Sequence, residues 1–176
     1  MSVPTEPVLF LKATNALTGP FDAILVPQGS TKLDWAVELA VTLGEEATLV
    51  TEADASNYIA SYALANDISE RTCQLEGTEE WTKGESFNGF GPLGPYLVPA
   101  EQLADPQHLA VNGQERQAAN TSETVFSINY LVSYASRYMT LRPATRRYPP
   151  NGYAGWRRSR LYASHLSCGW QYRRAE

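Results

Sequence analysis

Glu38 interrupts an otherwise apolar run, D-W-A-V-E-L-A-V over residues 34–41. A carboxylate there has two readings. It faces water from an edge strand, as lone carboxylates usually do, or it lines a cavity and points at a cation or a reacting group. Strand alternation sharpens the choice. Successive side chains point to opposite faces, so Trp35, Val37, Leu39 and Val41 share one large apolar face. Asp34, Ala36, Glu38 and Ala40 share the other, which is small and acidic.

Short elements must position that strand. P-V-L-F-L-K at 7–12 and the run at 24–27 are expected as strands, with a turn-rich loop at 13–22 between them. Thr51 heads a short helix with Asp54 as a partner resembling a capping box. Residues 58–65 are apolar again and end at Asn66-Asp67, and 81–90 form a polar loop. Asn112-Gly113 between alternating segments signals a hairpin over 108–117, with His108 on its surface. Residues 123–139 carry Val125, Ile128, Leu131, Val132, Ala135 and Met139 at helical spacing, behind Thr121 and Ser122 as caps. Many short strands, turn punctuation and few helices predict an α+β, mostly β domain.

Composition narrows the classes. The 176 residues, 43% of them hydrophobic, suffice for one domain with a core. Cys73 and Cys168 are far apart and make neither a disulfide framework nor a zinc spacing, so a cytoplasmic protein is expected. No apolar run reaches membrane-spanning length. The net charge of −5 argues against nucleic acid as a partner, but it hides a split. Residues 1–141 hold 6 basic and 18 acidic side chains, whereas 142–176 hold 8 arginines and a single acid.

Several blocks occur in one order: P-V-L-F-L-K-A-T-N-A-L-T-G-P, K-L-D-W-A-V-E-L-A-V, A-N-D-I-S-E-R, W-T-K-G-E-S-F and F-G-P-L-G-P-Y-L-V. Together they resemble the fumarylacetoacetate hydrolase family, in the branch of ureidoglycolate lyases and 2,4-diketo-3-deoxy-sugar-acid hydrolases. The resemblance covers 4–141. It implies a mixed, rolled β-sheet fold of the family's C-terminal-domain type, incomplete here at both ends, and a homodimer. It also implies bound Mg²⁺ or Mn²⁺ and a small oxo-acid substrate whose C–C or C–N bond is cleaved.

The family holds its metal with a Glu-x-Glu pair and a later Asp. Residues two apart on a strand share a face and reach one ion, and hard divalent cations want oxygen ligands. Glu38 matches the second Glu and Asp67 the Asp, whereas Ala36 stands at the first Glu and offers no oxygen. Weak metal binding is therefore expected, and micromolar Mg²⁺ affinity by calorimetry would count against it. Arg71 and Gln74 match positions that face the substrate, and Lys83 matches a catalytic lysine that pairs with the substrate carboxylate or enolate. By themselves, Arg71 reads as a surface ion pair with Glu70 or Asp67, and Lys83 as a solvated loop lysine. Thr72 and Asn88 stand where many relatives have Asp.

Two departures remain. The resemblance implies a His and a Glu ahead of the stretch aligned with Pro4, which activate water, but no His precedes His108. After M-T-L-R-P relatives continue with a strand and T-G-T-P-A-G-V-G; here 142–176 is rich in Arg, Tyr and Trp. Reading the last two bases of each codon with the first of the next, 151–158 permits T-G-T-P-A-G-V-G. In the same frame 168–175 permits A-A-G-S-I-V-E-L, similar to a downstream family segment. The expectation is a partial catalytic domain over 4–141 followed by an out-of-frame basic tail. The alternatives are a degenerate, non-catalytic fragment and a nucleic-acid-binding protein that uses cations and aromatic faces in its tail.

Overall fold

The structure is a computed structural model that describes residues 5–78, 80–103 and 107–143. The basic tail beyond lies outside the described residues. In chain order the strands are β1 (Leu17–Thr18), β2 (Leu33–Asp34), β3 (Val37–Leu43), β4 (Ile59–Asn66), β5 (Ser69–Glu70), β6 (Gly91–Pro92), β7 (Val98–Pro99), β8 (Gln107–Val111) and β9 (Gln114–Ala119). The α-helices are α1 (Arg71–Leu75), α2 (Thr82–Glu85) and α3 (Ile128–Ser136). β3, β4 and β7 form an antiparallel sheet; β1 pairs with β6 in parallel, β2 with β5 and β8 with β9 antiparallel. This is the mixed, mostly β architecture expected.

β3 forms because β-branched and aliphatic residues fit a pleated, buried surface. Leu39, Val41 and Leu43 pack against Val50, Ile59 and Tyr62, with Val132, Ala135 and Leu141 closing the cluster. Glu38 and Ala40, on the opposite face, are buried too, so β3 is covered on both sides. Trp35 lies outside the ladder and packs with Ala16, Ile68 and Phe90, not with Leu39.

α3 is shorter than its apolar spacing predicts. Asn120 and Glu123 form a capping box that closes a 3₁₀ turn, Thr121–Glu123, and Ser127 then caps the helix by accepting from Tyr130 N. Val125 and Met139 fall outside the helix and are exposed. Two of its serines fasten the loop after β3. Ser133 Oγ donates to Val50 O at 2.8 Å, and Val50 N donates to Ser136 Oγ at 3.0 Å. Beside them Ala47 and Leu141 exchange backbone hydrogen bonds.

The stretches 7–12 and 24–27 are not strands. Apolar composition marks what is buried but supplies no ladder partner, and proline cannot donate to a ladder. The helix expected after Thr51 is a 3₁₀ turn, Ala55–Tyr58. The polar loop at 81–90 contains α2. The Asn112-Gly113 turn forms as expected, with φ of 53° and 75°, the pair of positive values a two-residue hairpin loop needs. No helix among the described residues is long and apolar enough to cross a membrane.

Candidate active site

The ladder between β3 and β4 sets the carboxylate geometry. Glu38 lies opposite Ala65. One step beyond the strand ends, Ala36 and Asp67 exchange both backbone hydrogen bonds, N to O at 3.0 and 2.8 Å. Directly opposed residues share a face, so Ala36, Glu38 and Asp67 all lie on the same side. Glu38 and Asp67 are then diagonal neighbours, with backbones about 7–8 Å apart. Both are buried, at 3% and 6% exposure. The water-facing reading of Glu38 therefore fails: its carboxylate is buried on the same side of the sheet as Ala36 and Asp67. Ala36 is the residue squarely opposite Asp67, so the missing oxygen is missing at the centre of the face.

A lysine reaches that centre from the chain before β1. Lys12 Nζ lies 2.5 Å from Asp67 Oδ1 and 2.9 Å from Glu85 Oε2. It also donates to the carbonyls of Glu85 at 2.8 Å, Ile68 at 3.1 Å and Phe90 at 3.3 Å. Glu85 is fully buried, and its other oxygen accepts from Ser69 Oγ at 2.9 Å. Burial, and then the charge of Asp67, push the Glu85 carboxyl up to about 7, with Lys12 pulling the other way.

α1 and α2 stand beside this cluster because of Gly84. A Cβ there would sit 2.7 Å from Gln74 Cβ, Gln74 N and Glu70 O, so only glycine lets the two helices touch. Glu70 caps α1 by accepting from Cys73 N at 2.8 Å, a bond that holds its carboxyl below the usual range against the opposing effect of burial. The cap fixes the turn carrying Arg71 and Gln74, which share a face at i and i+3. Arg71 NH1 donates to Gln74 Oε1 at 2.6 Å, and its Nε and NH2 reach Asp34 Oδ2 at 2.9 and 2.8 Å. The partner of Arg71 is thus Asp34, from the acidic face of 34–41, and not Glu70 or Asp67.

Lys83 is not brought to the carboxylates. It is exposed on α2 and donates to Thr78 Oγ1 at 2.9 Å. Residues two positions apart on a helix are about 200° apart, so when Glu85 points inward Lys83 points out. That rotation was the available signal for Glu85 in W-T-K-G-E-S-F. Lys12 carried a weaker one, as the only charge closing P-V-L-F-L-K.

The donor set does not fit a divalent ion held by three carboxylates. Ala36 offers no oxygen, and Asp67 already carries an ammonium. Among the described residues no group of three His, Cys, Asp or Glu side chains converges to hold a metal.

The profile of the family "Fumarylacetoacetate (FAA) hydrolase C-terminal" matches residues 1–145. The chain belongs to the fumarylacetoacetate hydrolase family. It is 43% identical over 147 residues to a 2,4-didehydro-3-deoxy-L-rhamnonate hydrolase of Sphingomonas sp., covering 81% of this chain and 52% of that protein. Among solved structures it is similar to a 5-carboxymethyl-2-hydroxymuconate delta-isomerase of Mycobacterium smegmatis, with TM-score 0.74 and 34% identity over 80% of this chain and 56% of that one. A 2-hydroxyhepta-2,4-diene-1,7-dioate isomerase of Mycobacterium marinum matches with TM-score 0.72 and 33% identity, over 80% and 56% of the two chains. This family member spans about half the length of the curated relatives it matches.

Proposed function

We propose that this member of the fumarylacetoacetate hydrolase family acts on a small oxo-acid, cleaving a C–C or C–N bond, at a rate well below that of its longer relatives. Diketo-deoxy sugar acids are the favoured substrate class, by likeness to the rhamnonate hydrolase; acylpyruvates and ureidoglycolate-like acids follow. The observation that carries the reading is the Arg71–Gln74 pair on one face of α1, next to the buried carboxylates. A guanidinium grips a carboxylate through two parallel hydrogen bonds, and an amide beside it orients the neighbouring carbonyl. Lys83 is the proposed partner for charge developing on the substrate oxygen, once it leaves Thr78. A resident Mg²⁺ or Mn²⁺ would polarise the carbonyl from Glu38 and Asp67. The donor set is poor for it, because Ala36 offers no oxygen and Asp67 already carries an ammonium. A homodimer in the cytoplasm belongs to the same proposal; light scattering on the purified chain tests the assembly.

The second reading is a non-catalytic remnant, favoured by Ala36 opposite Asp67 and by the ammonium on Asp67. Loss of ultraviolet absorbance from an acylpyruvate and from a diketo-deoxy sugar acid, with and without Mg²⁺, separates the two. Turnover that Arg71→Ala abolishes supports the enzyme. Binding without turnover supports the remnant. A third reading, nucleic-acid binding through 142–176, predicts salt-dependent RNA retention that vanishes when those residues are removed.

A further inference from the structure

We propose that the Lys12 ammonium is the resident cation of the carboxylate face, and that it holds Asp67 and Glu85 in a state that excludes a divalent ion. An ammonium has three N–H donors and no acceptor. Here it has two carboxylate oxygens and three backbone carbonyls within 3.3 Å. Every donor is matched with oxygens to spare, which is the shell of a bound cation and not of a surface lysine. The lysine is only 10% exposed, and Asp67 and Glu85 are 7% and 1% exposed.

The consequence is competitive. A divalent ion drawn to Asp67 must push out a buried ammonium and leave it without its anionic partners. In return it finds one further carboxylate on the sheet face, Glu38, because Ala36 supplies none. Hard divalent ions bind through several anionic oxygens, and here Asp67 is already paired with an ammonium. The inference concerns cation occupancy and holds whichever oxo-acid, if any, the chain takes.

Two measurements on the full chain test it. The first is Mn²⁺ binding by electron paramagnetic resonance. The double variant Lys12→Met with Glu85→Gln removes the ammonium and its second partner together, so no charge of that pair is stranded. It is expected to bind Mn²⁺ at least tenfold more tightly than the parent, because Asp67 is released. Tight Mn²⁺ binding by the parent, or no gain in a folded double variant, overturns the proposal. The second needs no variant at the site. ¹⁵N correlation of lysine ammonium groups is expected to show one slowly exchanging signal among the three lysines, Lys12, Lys32 and Lys83. That signal should persist when Mn²⁺ is added in slight excess over protein. Absence of a protected ammonium, or its loss at that Mn²⁺ level, overturns the proposal as well.

Discussion

Replacing Lys12 by Met should be among the costliest single changes in this chain, and the cost should depend on pH. The side chain keeps its volume but loses the charge that Asp67 and Glu85 share. Breaking a buried ion pair by removing one partner costs about 3–5 kcal/mol, chiefly because the remaining charge is left unpaired. At pH 8 Glu85, whose carboxyl sits at about 7 in the parent, is ionised, so its pairing with Lys12 is lost in full and the full cost applies. For a domain of this size that is a fall in Tm of about 6–20 °C. At pH 5.5 Glu85, whose carboxyl already sits at about 7, is protonated and needs no counter-charge. The loss should then shrink to about 2 kcal/mol or less. Urea melts of parent and K12M at the two pH values measure it. K83M is the control, an exposed lysine expected to stay within about 0.5 kcal/mol of the parent. A K12M loss below about 1 kcal/mol at pH 8, or the same loss at both pH values, refutes the buried-pair argument.

Gly84→Ala forces a Cβ to within 2.7 Å of two backbone atoms, so it should cost about 1–3 kcal/mol or more and separate α1 from α2, read by thermal melting and near-ultraviolet dichroism. Glu85 sets a slope opposite to that of ordinary acid denaturation. Its carboxyl holds the proton more tightly folded than unfolded, so its contribution to stability is full below about 4.5 and declines as pH rises to about 7. The decline amounts to about 3 kcal/mol at most, and the difference between parent and E85Q melts across that window should reveal it. Arg71→Lys keeps a charge but loses the two-pronged grip, so oxo-acid binding by calorimetry should weaken about tenfold. Lys83→Ala should lower kcat with little change in KM in steady-state kinetics.

The face on which Glu38 stands was legible because strand alternation is a rule of geometry. The absence of an oxygen at Ala36 was legible because it is a matter of residue type. Asn112-Gly113 announced its hairpin for a similar reason, since few other residues accept two positive φ values in a row. What stayed hidden depended on partners distant in sequence. Residues 7–12 have the composition of a strand, but their role is to deliver Lys12 to Asp67, Ile68, Glu85 and Phe90. Lys83 points out and Glu85 points in because a short helix rotates them apart, and Gly84 lets that helix approach α1. The start of α3 shifted because two local caps, at Asn120 and Ser127, compete for one region, and periodicity alone does not arbitrate.

The serines of α3 carry a consequence for how this protein opens. The amides of Leu49 and Val50 end on Ser136, and that of Ala47 ends on Leu141. Their donors and acceptors are more than 80 residues apart along the chain. These amides cannot be freed one at a time by local fraying; they exchange with solvent only when α3 lifts off. In a deuterium time course 47, 49 and 50 should therefore exchange in step with the middle of α3, as one cooperative unit. Residues 47–50 connect strands and look like a loop, yet their exchange is expected to follow that of α3.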